Sequence, residues 1–157
     1  MIEKLILRNR VECAGILEFL TNNDNYDFYF TESNTRYYVT DEQSLKKLVK
    51  SCATGFCLKE KGDYQGLVLV WKGIGEHKVR YYVKLSAKNH KVAKDLITIL
   101  LWNTNRDLFV KIRKDSKFID AFKQKGFKFI ASRGIQILLN KKYVPRVAKV
   151  FRKKEDI

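Results

Sequence analysis

Hydrophobic positions along this chain fall into short runs whose period switches between two and about 3.6, and each switch marks the end of one element and the start of another. Residues 2–7 read as a strand. Val11, Leu17 and Leu20 then mark one side of a short helix that ends in the polar cluster Thr21-Asn22-Asn23-Asp24-Asn25. Residues 26–30 and 36–39 are aromatic-rich runs separated by Glu32-Ser33-Asn34, the pattern of a hairpin or an extended recognition loop. Thr40-Asp41-Glu42-Gln43 has the form of a capping box, and Leu45, Leu48 and Val49 carry the helix it starts. Strands are expected at 55–59 and 66–72 around Lys61-Gly62-Asp63, and Gly73-Ile74-Gly75-Glu76 turns the chain toward the next strand at Lys78.

The second half is denser. Val79-Arg80-Tyr81-Tyr82-Val83-Lys84-Leu85 is β-branched and aromatic, and it feeds a helix over 89–103 on which Val92, Leu96 and Leu100 recur at helical spacing. Leu108-Phe109-Val110-Lys111-Ile112 reads as a strand; Asp115-Ser116 offers an N-cap, Phe118, Ile119 and Phe122 an apolar stripe, and Gly126 a stop. A final strand is expected at 135–140. A helical crossover between two strands makes them parallel, so any ligand is expected near their carboxyl ends. The order as a whole describes an α/β layered domain in which an antiparallel sheet continues into a parallel pair.

The strand 79–85 runs through Ser86-Ala87-Lys88-Asn89-His90-Lys91-Val92-Ala93 into its helix, and Phe122-Lys123-Gln124-Lys125-Gly126-Phe127 closes the next one. On these residues the span 82–127 resembles the acyl-CoA-binding half of the GNAT superfamily of N-acyltransferases. There a strand ending in valine leads to an Arg/Gln-x-x-Gly-x-Gly/Ala loop, and a later Tyr-x-x-x-Gly-Phe closes the second helix. Lys88 stands at the Arg/Gln position, Lys91 at the first glycine, Ala93 where Gly or Ala is usual, and Phe122 at the tyrosine. The resemblance implies a GNAT-like layered fold over 1–140, with a mixed sheet of about six to seven strands flanked by helices. It also implies acetyl-CoA or CoA as cofactor, held by Val83, Leu85, Lys88, Asn89, His90, Lys91, Val92 and Ala93, and direct attack of an amine on the thioester. The family's proton-donating tyrosine is replaced by Phe122, which has no proton to give. Tyr81, Tyr82 and Ser116 are the candidates to take its place, and no Asp or Glu sits on the strand 79–85 to act as base.

The loop has a chemistry of its own. A helix N-terminus presents unpaired N–H groups and about half a positive charge, and Lys88, Lys91 and Lys94 surround this one. Pyrophosphate and a nucleic-acid backbone suit it equally. Lys91 places a side chain where a glycine admits close approach of the phosphates.

Composition enlarges the choice of partners. The 157 residues carry a net charge of +15, which is unfavourable to a small domain unless something anionic is usually near. RNA or DNA gains from every lysine through counterion release, and Tyr26, Phe28, Tyr29, Tyr37 and Tyr38 beside Arg36 are of the kind that stacks on bases. Residues 141–157 form a basic extension in which Val144, Val147, Val150 and Phe151 mark one face of a helix after Pro145, suited to nucleic acid, a membrane surface or a protein. Two function classes therefore stand: an acyl-CoA-dependent N-acyltransferase, whose acceptor amine is carried by a nucleic acid or by something else, and a catalytically inactive GNAT-like module that binds nucleic acid or a protein partner. The chain has no apolar run of membrane-spanning length and no signal-peptide pattern, which points to the cytoplasm. Cys13, Cys52 and Cys57 read as reduced, mostly buried thiols, and no metal site is expected. His77 and His90 read as a hairpin and a helix-start residue, and neither a P-loop nor a dinucleotide-binding glycine motif occurs.

Overall fold

In chain order the elements are β1 (Ile2–Lys4), α1 (Arg10–Asn22), β2 (Tyr29–Glu32), β3 (Thr35–Tyr38), α2 (Glu42–Lys50), β4 (Cys52–Glu60), β5 (Asp63–Gly75), β6 (Lys78–Ala87), α3 (His90–Trp102), β7 (Leu108–Arg113), α4 (Ile119–Gln124), β8 (Lys128–Arg133) and β9 (Gln136–Lys141). They come from a computed structural model that describes residues 1–23 and 28–145. Seven strands make one mixed sheet in the order β1-β4-β5-β6-β7-β9-β8, and β2 pairs with β3 separately. Every pairing is antiparallel except β6 with β7, the pair joined through α3. This is the α/β layered sheet expected from the element order.

The hairpins turn on two-residue loops. Ser33-Asn34, Lys61-Gly62 and Glu76-His77 all have positive φ, the conformation whose twist matches that of the flanking strands. The central strands then divide their side chains between two cores, as the period of two requires. Val68 and Val70 of β5, Val83 and Leu85 of β6 and Val110 of β7 pack with Leu96, Leu100 and Phe122 under α3 and α4. Leu67 and Leu69 point the other way, to Ile16, Leu20, Leu45 and Leu48 of α1 and α2 and to Phe28 and Phe30 before and within β2.

Three local expectations are corrected. The first strand is shorter than residues 2–7, covering Ile2–Lys4. The capping box is closed by Asp41 and Ser44, not by Thr40 and Gln43: the Ser44 amide donates to the Asp41 carboxylate at 2.8 Å, and the Asp41 amide donates to Ser44 Oγ at 3.0 Å. Asp115-Ser116 does not cap α4, which starts at Ile119 with no side-chain cap. Asp115 is held by Arg113, with contacts at 3.1 and 3.0 Å, and Ser116 Oγ accepts from the Phe118 amide at 3.2 Å inside the preceding turn. Gly126 does end α4, with φ +98°. Of the basic extension, Lys141 closes β9, while residues 146–157 lie outside the described part, as does Tyr26.

Candidate active site

The one parallel pairing is brief. β6 and β7 are in register at Tyr81–Leu108 and Tyr82–Phe109 and then part, although β6 continues to Ala87 and β7 to Arg113. The backbone phase of β6 follows from its end, where the Lys88 amide donates to Gln65 O at 2.8 Å in the same register as the β5–β6 pairing. In an antiparallel ladder alternate residues bond to the same neighbour, so Ser86, Lys84 and Tyr82 also turn their amides to β5. Val83 and Leu85 thus point their N–H and C=O groups at the side β7 has left.

At the end of this gap stands the start of α3. Asn89 is its N-cap, accepting from the Val92 amide at 2.9 Å. The Ala93 amide makes the first helical bond to Asn89 O and the Val92 amide is capped, so Asn89, His90 and Lys91 carry the remaining first-turn N–H groups. Lys91 Nζ lies 3.1 Å from Asp95, which offsets part of its charge, while Lys88 is exposed beside the cap. Val92 and Ala93 are buried in the core beneath the helix. Of the residues expected to hold a cofactor, Val83, Leu85, Lys88, Asn89, His90 and Lys91 follow one another along this path, whereas Val92 and Ala93 are buried with their amides already bonded to Asn89.

On the opposite face of the sheet, at the same level, lies a cavity of about 610 Å³ between the β2–β3 hairpin and strands β5, β6 and β7. Arg36, Lys72, Lys84 and Lys111 line it, and the lining among the described residues holds no carboxylate. Its aromatic wall organises these cations. Lys84 is buried, with Nζ 3.9 Å from the Tyr29 ring centroid and 5.2 Å from that of Trp71. Arg36 covers Tyr29 at 4.8 Å, and Lys111 covers Tyr82 at 4.9 Å. Partial burial, reinforced by repulsion from Arg36, Arg80 and Arg133, holds the Lys111 ammonium below its ordinary pKa.

Tyr82 belongs to the cavity wall. Its ring packs between Trp71 and Phe109, each 6.1 Å away between centroids, and its buried hydroxyl has no hydrogen-bond partner among the described residues. Glycine makes the position possible: a Cβ at Gly75 would lie 2.5 Å from that hydroxyl, and one at Gly73 3.0 Å from the ring.

The other candidate residues lie elsewhere. Tyr81 packs partly against the core under α3, with the Arg106 guanidinium 4.4 Å over its ring. Ser116 stays in the turn before α4. Phe122 is buried in the same core, edge-on to Phe127 at 5.2 Å. Cys52 and Cys57 are pushed up by burial to about 12 and about 11, so neither thiol is a nucleophile near neutral pH. His77 occupies the β5–β6 turn and His90 opens α3, as expected. Among the described residues no three of His, Cys, Asp and Glu cluster for a metal, and no helix is long and apolar enough to cross a membrane.

Sequence reasoning missed Arg36, Trp71, Lys84 and Lys111 as one constellation. A signal was present for two of them, since Lys84 and Lys111 each interrupt an otherwise apolar run of a central strand.

By sequence the chain matches no protein-family model and no curated protein. By structure it is similar to a GNAT-family acetyltransferase from Streptococcus pneumoniae, with a TM-score of 0.66 and 13% identity over 92% of this chain and 99% of that one. A GNAT-superfamily phosphinothricin acetyltransferase from Sinorhizobium meliloti, in complex with acetyl-CoA, superposes at 0.67 with 11% identity over 91% and 88%. A ribosomal-protein-alanine N-acetyltransferase from Brucella melitensis does so at 0.61 with 11% identity over 90% and 99%. Likeness of this kind speaks to the fold.

Proposed function

For a chain with the fold of the GNAT acetyltransferases, we propose that the activity is acyl-CoA-dependent N-acyl transfer, with the cofactor in the gap between β6 and β7 and the acceptor amine in the cavity on the other face. The observation that carries this reading is the end of the β6–β7 pairing after two residues, which leaves the Val83 and Leu85 backbone turned to the side of β7 without a ladder partner there among the described residues. The donor set suits an acyl-CoA in kind. Backbone N–H and C=O groups suit an amide-bearing pantetheine, and the His90 and Lys91 amides with the Lys88 ammonium suit a pyrophosphate. The capped Val92 amide and the side chain at Lys91 make this phosphate cradle narrower than the glycine loop it resembles.

Acetyl-CoA supplies an acyl group on a thiolate leaving group. The chain's contribution is position and polarisation. An N–H of Val83 or Leu85 aimed at the carbonyl favours charge developing on its oxygen. The cavity walls hold the amine nitrogen within reach of the same carbon, so the C–N bond forms as the C–S bond breaks. One proton leaves nitrogen and one is needed on sulfur. Phe122 supplies none, and of Tyr81, Tyr82 and Ser116 only Tyr82 lines the cavity, with its hydroxyl buried beside Gly75. Tyr81 and Ser116, away from the cavity, drop behind it as candidates.

The test is a calorimetric titration with acetyl-CoA, backed by thermal melting. A saturable heat and a rise in Tm are expected, because a ligand that binds the folded chain at about 100 times its Kd adds about 2.7 kcal/mol of stability. Lys88→Glu should weaken both. An unmoved Tm in millimolar acetyl-CoA sinks this reading. It would favour the second, a nucleic-acid or protein-binding module without catalysis, whose support is the net charge of +15.

A further inference from the structure

Resting on the transferase reading, we propose that the acceptor is a small amine that also carries an anionic group, a carboxylate or a phosphate, seated in the cavity between Arg36 and Lys111.

Arg36, Lys72 and Lys111 line the cavity together with Lys84, which is already engaged, and the described walls have no carboxylate. A plain alkylamine arrives as a cation and meets like charge on Arg36, Lys72 and Lys111 there, a repulsion that grows as water is thinned. An anionic group reverses the sign. It also relieves a cost already present, because burial and then repulsion from Arg36, Arg80 and Arg133 hold the Lys111 pKa down, and a bound anion among them raises it again. Thr31, Ser33 and Asn34 on the hairpin side add neutral donors. The buried Tyr82 hydroxyl is a donor that nothing else in the described structure uses. A volume of about 610 Å³ lies within the usual range for small ligands and is far below the footprint of a folded macromolecule.

The same cations settle a second difficulty. The described lining contains neither carboxylate nor imidazole to take the amine's proton. An ammonium held beside ammonium and guanidinium groups has its pKa lowered, as burial and like charge together lower that of Lys111. The anionic end anchors the acceptor while the cationic walls favour loss of the proton at its other end. That proton passes to water before the nitrogen lone pair attacks.

The experiment uses the full chain and matched probes: 4-aminobutyrate against 4-aminobutanamide, and O-phosphoethanolamine against ethanolamine, each titrated calorimetrically without cofactor. At least one anionic probe should bind about tenfold or more tighter than its neutral partner, the effect of one charge-assisted contact. The pair showing the preference tells carboxylate from phosphate. Arg36→Gln and Lys111→Gln should each abolish the preference while leaving the heat of acetyl-CoA binding as it is. Neutral probes binding as tightly as anionic ones, or no anionic probe binding at millimolar concentration, overturns the proposal. Loss of the acetyl-CoA heat in the wild-type protein sinks the transferase reading instead, and the probe titrations still decide whether the cavity is an anion site.

Discussion

On the face of the sheet beneath α3, Val83, Leu85 and Ala87 of β6 meet Leu96, Ile97 and Leu100, and all six are buried among apolar neighbours. On the opposite face the intervening Tyr82 and Lys84 meet a hairpin, an aromatic wall and a cavity. The two sets come from one strand and alternate residue by residue, so differences of backbone, position or strand order cannot explain them. What differs is the purpose each face serves. A fully buried aliphatic side chain contributes about 1.5–3 kcal/mol, whereas a buried ammonium costs several kcal/mol unless its partners offset the loss of water. The cations on this face suit the anionic ligand proposed for the cavity.

The sharpest way to break this comparison is Leu96→Ala, which removes a fully buried side chain from the α3 face. A loss of about 2–5 kcal/mol in urea unfolding is expected, with anion binding in the cavity preserved in the folded protein. A loss below about 1 kcal/mol would mean that the α3 face is not where stability resides. Tyr82→Phe on the cavity face should do the reverse. Deleting a buried hydroxyl that has no partner leaves stability unchanged or raises it by up to about 1 kcal/mol, while affinity for the preferred anionic probe falls. Equal losses of stability in the two variants would erase the distinction between the faces.

The smallest effect concerns pH. Lys111 has its folded pKa below the ordinary 10.5, so the unfolded chain holds that proton more tightly than the folded one. The resulting destabilisation is fully present below the folded pKa and is relieved as pH climbs from that value toward 10.5. Lys111→Gln should therefore be slightly more stable than wild type near pH 7, with the advantage shrinking toward about pH 10. Affinity for anionic probes should fall over the same alkaline window in the wild type. An advantage independent of pH would assign the effect to packing.

The order of elements was legible because its cues are local. The period changes at 79–85, 89–103 and 108–112 reappear as β6, α3 and β7, and Glu32-Ser33-Asn34 is the turn of a real hairpin. The start of α4 was misread because Asp115, a sound cap by type, is taken by Arg113, a partner that residue preference does not reveal. The cofactor path was visible through the resemblance, yet the occupied amides of Lys88 and Val92 depend on Gln65 and on which side chain caps the helix. The cavity was illegible for a deeper reason. Arg36, Trp71, Lys84 and Lys111 stand on four strands of two sheets, and their meeting exists only once β3 is laid across β5, β6 and β7.

The bond from Lys88 to Gln65 has a temporal consequence as well. By fixing the phase of β6 it seals the amides of Tyr82, Lys84 and Ser86 inside a long ladder with β5, where protons exchange with solvent only when the sheet itself opens. The amides of Val83 and Leu85, one residue away, face a gap and exchange on the clock of whatever fills it. Cavity side chains therefore ride on the slow amides of the strand and the proposed cofactor contacts on the fast ones, so a single strand keeps two times, and occupancy of the gap is written in every second residue.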